Sequence, residues 1–142
     1  LKALVQSQAD GFVWPKAEHP GLLDAIDTAL NTLGAPQQLT AMALVEHPRM
    51  MGHERLMQLA MAPRVQALAL GTEDFSAVMG VAPSSTLLEA PAQALIRAAR
   101  ACAVSAYALP CSIALIDDKQ AWHQALQWAS LKPRPCRVKR EA

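Results

Sequence analysis

The sequence predicts an α/β fold of about four βα units with parallel strands. Three observations predict it. Apolar runs of strand length at residues 39–45 and 65–70 alternate with segments whose apolar residues recur at helical spacing. Gly or Pro punctuates nearly every junction. The chain has 142 residues, 52% of them hydrophobic and 18% charged, which suits one domain with a real core and argues against disorder.

The elements follow in order. Residues 11–16 (Gly-Phe-Val-Trp-Pro-Lys) read as a short strand ending at Pro15, and His19-Pro20-Gly21 turns the chain. Leu22, Leu23, Ile26, Leu30 and Leu33 have helical spacing, and Gly34-Ala35-Pro36 supplies a C-cap and a breaker. Residues 39–46 form the next strand, broken by Pro48. A helix over 51–61 turns Leu56, Leu59 and Ala60 inward and stops at Pro63. Residues 65–70 form a third strand bounded by Gly71, and 74–79 allow one helical turn before Gly80. Thr86 with Glu89 reads as a capping box for a helix to about residue 103, with Leu87, Leu88, Leu95, Ile96 and Ala99 on its inner side. Residues 106–115 form a last strand interrupted by Pro110. Asp117 or Asp118 caps a final helix through Trp122, Leu126 and Trp128.

This alternation implies a parallel sheet with helices outside and strands in sequential order. A closed eight-stranded barrel needs roughly 250 residues, so this chain can make about half of one. Residues 1–130 read as that partial barrel domain, and 131–142 as a basic, poorly ordered tail. The start at Leu1, without Met and without a signal-peptide layout, reads as a fragment or an odd start. No apolar run is long enough to span a membrane, so no membrane partner is expected and a cytoplasmic location is.

Net charge is +1, unevenly spread. The tail holds Lys132, Arg134, Arg137, Lys139 and Arg140 against Glu141, and the body is mildly acidic. Such a tail could touch nucleic acid or anionic lipid, or be a solvated end. Aromatics are few and not interleaved with the basic residues, so no nucleic-acid partner is expected. Cys102, Cys111 and Cys136 are odd in number and irregular in spacing, which argues for a reducing compartment. CxxC, HExxH, GxSxG, P-loop and GxGxxG patterns are absent from the sequence.

The second and third strands each end in acid, Glu46 and Glu73-Asp74. Both runs are apolar enough to be buried on both faces. An acid at the C-terminal end of such a strand lies where α/β folds build active sites. Two of them from neighbouring strands make a hard-oxygen site for a divalent cation, or both cap helices at βα loops. Only one of Glu73 and Asp74 can face inward along a strand; Asp74 is the candidate ligand and Glu73 a capping or supporting acid.

These residues resemble a known family. Residues 65–76 with Gly80 (VQALALGTEDFS…G) are similar to the "apolar strand, G-x-E-D-[FL]-x…G" segment of the citrate lyase beta-chain, or HpcH/HpaI aldolase, family, which includes malyl-CoA lyases. Residues 11–18 (GFVWPKAE) resemble its "G-[FI]-x-L-P-K-x-E" strand, and 44–49 (LVEHPR) its "[IV]-E-T-x-R-G" segment. Residues 94–103 resemble the helix that follows. Glu46 and Asp74 stand 28 positions apart, close to the family spacing.

The resemblance covers residues 9–130 and implies a partial TIM (β/α)8 barrel. It implies a Mg²⁺-dependent carbon–carbon lyase acting on a CoA thioester such as citryl-CoA or malyl-CoA, or on a 2-oxo acid, as a homo-oligomer or a subunit of a lyase complex. The Mg²⁺ ligands fall on Glu46 and Asp74, catalytic positions on Lys16 and Arg49, and substrate-binding positions on Glu18, Gly71 and Glu73. Position 47 is His where the family has Thr, and position 50 is Met where it has Gly. The family's earlier acidic segment and substrate-gripping Arg have no counterpart, and after residue 130 its Gly-rich strand is replaced by Leu-Lys-Pro-Arg-Pro. The alternative expectation is a catalytically silent truncated fragment or an interaction subunit.

Taken alone, Lys16 is a Schiff-base nucleophile or a lysine paired with Glu18 or another carboxylate. Arg49 binds a carboxylate or CoA phosphate, or forms a surface salt bridge. His47 is a base, a ligand or a loop residue.

Overall fold

A computed structural model of the chain describes residues 1–108, 117–120, 123, 124 and 127. The elements are α1 (Lys2–Gln6), β1 (Gly11–Trp14), α2 (Pro20–Thr32), β2 (Thr40–Val45), a 3₁₀ turn (Pro48–Met50), α3 (His53–Met61), β3 (Val65–Leu70), α4 (Thr72–Met79), a second 3₁₀ turn (Thr86–Leu88), α5 (Glu89–Ala101) and β4 (Ser105–Tyr107). The expected strand beyond residue 108, Trp122, Leu126, Trp128, Cys111, Cys136 and the basic tail lie outside the described residues. Asp118 accepts a bond from the Gln120 N–H at 3.1 Å, the N-cap expected there.

The four strands are parallel and ordered β1-β2-β3-β4. Among the described residues the order does not reverse, so these strands form no switch point of a doubly wound fold. Buried side chains of α2 (Leu23, Ile26, Leu30), α3 (Leu56, Leu59, Ala60) and α5 (Ala92, Leu95, Ala98, Ala99) form one cluster with Ala41, Ala43, Val45, Leu68 and Leu70. Helices thus pack on one face of a singly wound sheet, which is the architecture of a partial (β/α)8 barrel.

The opposite face carries Val13, Met42, Leu44, Ala67, Ala69 and Tyr107. Val13 is 54% exposed and Tyr107 58%. The expectation of strands buried on both faces is met over most of β3, whereas β2 alternates buried and half-buried residues. A bulge between the Ala41↔Val65 and Met42↔Ala67 pairs shifts the register past exposed Gln66, so Val65 and Leu68, three apart, both join the helix-side cluster.

Helix ends follow the punctuation. At the end of α2 the Ala35 N–H bonds Leu30 O at 2.9 Å and the Gly34 N–H bonds Asn31 O at 3.0 Å, with Gly34 at φ 73°. That pairing satisfies the last carbonyls through one left-handed residue. Gly80, at φ 67°, ends α4 in the same way.

Several expectations need correction. The helix expected over 51–61 starts at His53, because Pro48 first closes a 3₁₀ turn. The Thr86–Glu89 capping box is not formed: Ser85 accepts from the Leu87 N–H at 3.3 Å, and Glu89 opens α5. Pro91 sits at the third position of α5, where it has no N–H for a cap to receive. Leu87 is exposed rather than inward. Helix α1 is an addition to the expected elements; its Leu4 and Val5 pack against the core. No helix among the described residues is long and apolar enough to cross a membrane.

Candidate functional site at the C-terminal edge of the sheet

The strands are parallel, so β1, β2 and β3 all end on one edge of the sheet. Backbone bonds extend the pairing just past the strand ends. The Ala17 N–H donates to Leu44 O at 3.0 Å, and the Gly71 N–H to Val45 O at 2.9 Å. Glu46, the first residue after β2, is thereby flanked by Lys16 on one side and Gly71 on the other.

Both flanks are fitted to it. The Lys16 peptide N–H donates to Glu46 Oε2 at 2.5 Å. Lys16 is in the left-handed region at φ 50°, a conformation costing an L-residue roughly 1–2 kcal/mol. On the other side a methyl group at Gly71 would lie 2.4 Å from Glu46 Cγ. Gly71 itself has φ −81°, so its role is space rather than backbone freedom.

Asp74 reaches the same edge by another route. Glu73 and Asp74 do not continue β3; both lie in the first turn of α4, which runs two turns from Thr72 instead of one from Asp74. Gly71 ends the strand, and the Phe75 N–H donates to Gly71 O at 3.0 Å to close the first helical bond. Acids in a first helical turn are favoured by the unpaired N–H groups there. The alternation that lets only one of two adjacent acids face inward belongs to strands, so it does not separate Glu73 from Asp74 here. Asp74 Oδ2 lies 3.8 Å from Lys16 Nζ. Glu46 and Asp74 thus both contact Lys16, the first at its amide and the second at its ammonium.

Glu18 and Arg49 form a second pair at this edge. The Arg49 guanidinium donates to Glu18 Oε2. That hydrogen bond, with the Arg49 charge, holds the Glu18 carboxyl below the usual carboxylate range against an opposing push from burial. Arg49 lies in the 3₁₀ turn after β2, where His47 Nδ1 accepts the Arg49 N–H at 3.2 Å. His47 therefore caps the turn with one ring nitrogen. Arg55 Nη1 donates to Arg49 O at 3.2 Å and steadies the turn from α3.

Lys16, Glu46, Gly71 and Asp74 are brought together, with Glu18 and Arg49 paired beside them. Glu73 is exposed on α4. The part played by the Lys16 amide is invisible in the sequence, since a left-handed lysine has no residue signature. The mixed carboxylate–cation edge can bind a cation through its acids or an anion through Lys16 and Arg49. Among the described residues, no group of three or more His, Cys, Asp and Glu gathers for a metal.

No family model and no curated protein matches the chain. Among solved structures it is similar to the crystal structure of citrate synthase SbnG, with a TM-score of 0.63 and 14% sequence identity. The match covers 92% of this chain and 66% of that one, so the chain spans just under two thirds of its neighbour. At that identity the likeness is one of fold.

Proposed function

We propose that the chain carries the site of a Mg²⁺-dependent carbon–carbon lyase of the citrate lyase beta-chain type, acting on a CoA thioester or a 2-oxo acid. The observation that carries this reading is that Glu46 and Asp74, at the C-terminal edge of adjacent parallel strands, both contact Lys16. The fold likeness to a citrate synthase agrees with it.

The residues fit the ion. Two carboxylates are hard oxygen donors, and Mg²⁺ is commonly held by one or two carboxylates while the remaining positions go to water and substrate. When bound, the ion would supply Lewis-acid polarisation of a substrate carbonyl. The chain's own residues do the rest. Gly71 leaves room for Glu46, and the Lys16 amide fixes its orientation. Arg49, pre-oriented by Glu18 and the 3₁₀ turn, presents a planar fork suited to a carboxylate or phosphate. Lys16 has an exposed side chain facing a carboxylate, without the apolar burial that a Schiff-base lysine uses.

The test is cation binding followed by calorimetry with Mg²⁺ or Mn²⁺. Glu46→Gln and Asp74→Asn should each abolish measurable binding. Unchanged affinity in both variants would remove the metal reading.

A second reading is favoured by the sheet face opposite the helices, where Val13 and Tyr107 are exposed. On that reading the chain is a catalytically silent fragment or interaction subunit whose sheet face is covered by another chain. Sedimentation separates the two: a monomer with lyase turnover refutes the second, and an inactive oligomer supports it.

A further inference from the structure

We infer that Lys16 is an internal counter-ion whose ammonium competes with a divalent cation for Asp74, while its backbone amide holds Glu46 in place. This deepens the metal reading above and rests on it.

The two functions belong to different atoms. Glu46 is oriented by the peptide N–H at 2.5 Å, which any residue at position 16 supplies if it adopts the same backbone. Asp74 is faced by the ammonium at 3.8 Å, which only a cationic side chain supplies. With Lys16 at φ 50°, its amide faces the acid after β2 and its ammonium the acid in the first turn of α4. Arg49, the other cation described at this edge, is engaged with Glu18.

The ion pair is suited to exchange. Its side chains are 71% and 55% exposed, and 3.8 Å is a charge contact rather than a short hydrogen bond. Exposed pairs of this kind hold only weakly, because water and salt screen them. The ammonium is on a long flexible stem and can swing into water as a cation takes the carboxylate oxygen. It therefore makes the acid pair less repulsive without locking it. A divalent ion arriving between the acids must overcome one unit charge, which near a surface and under solvent screening corresponds to about threefold to tenfold in affinity.

The experiment measures Mn²⁺ affinity of the full chain by calorimetry in wild type and in Lys16→Met, Lys16→Gly and Lys16→Arg, each checked for folding by circular dichroism. Lys16→Met keeps the stem and removes the charge. Lys16→Gly removes the charge and suits the left-handed backbone, so the amide that holds Glu46 is retained. Both should bind Mn²⁺ about threefold to tenfold more tightly than wild type, and Lys16→Arg should bind as wild type does. Unchanged or weaker binding in both Met and Gly variants, with wild-type binding still lost in Asp74→Asn, overturns the counter-ion role and leaves the metal reading standing. Absence of Mn²⁺ binding in wild type and in every variant overturns both.

Discussion

Gly71→Ala is the sharpest perturbation of the candidate site. The added methyl would lie 2.4 Å from Glu46 Cγ and 3.2 Å from both Cδ and Oε1. Ordinary carbon–carbon contacts lie at about 3.5–4.0 Å, so Cγ must move by roughly 1 Å or more. Cγ is the second carbon of the side chain, and moving it means rotating χ1, which carries Oε2 away from the Lys16 amide. The backbone at Gly71 (φ −81°) accepts alanine, so the cost is steric. Overpacking of this kind costs about 1–3 kcal/mol. For a chain of this length that lowers Tm by roughly 3–12 °C. Thermal unfolding in a double-mutant cycle with Glu46→Ala isolates the clash, because Glu46→Ala removes the offending Cγ. Gly71→Ala should be costly in wild type and nearly neutral in the Glu46→Ala background. Equal cost in both backgrounds would refute the account of Gly71 as the space for Glu46.

Arg64→Ala should destabilise by about 3 kcal/mol in urea unfolding, because the 5%-exposed guanidinium binds Asp27, Asn31 and the carbonyls of Pro36 and Leu39. Arg64 has φ 63°, so Arg64→Gly should cost about 1 kcal/mol less than Arg64→Ala. Ala103, at φ 55° after α5, should gain about 0.5–1 kcal/mol as Gly, read as a higher Tm. Arg49→Met should raise the Glu18 pKa, followed by carboxyl carbon NMR. Since Glu18 is lowered in the folded chain, its pairing adds stability above the ordinary carboxylate pKa and loses it as pH falls through the folded value. In Arg49→Met that part of the acid dependence should flatten.

What the sequence disclosed was whatever depends on local pattern. β2 and β3 were legible because their apolar runs are bounded by Pro48 and Gly71, and α2 because Leu23, Ile26 and Leu30 keep one face. That Glu46 and Asp74 lie at the same edge of the sheet followed from strand order. Long-range polar geometry was not legible. Arg64 bonds residues 25 to 37 positions away through groups that carry no periodicity. The start of α4 at Thr72, which takes in Glu73, was hidden because Gly71 marks the end of a strand and the start of a helix equally well. The Gln66 bulge breaks the two-residue period that would have assigned its neighbours' faces.

Arg64 stands at the entrance of β3 and Asp74 beyond its exit, separated by a six-residue strand that spans about 20 Å. The guanidinium ties α2 and the α2–β2 connection to the start of β3 at the foot of the sheet, while the acids and their lysine lie at its crown. Substitutions at the crown, one carboxylate or cation at a time, leave the contacts of Arg64 untouched. A library confined to positions 16, 46, 49 and 74 would draw on that separation.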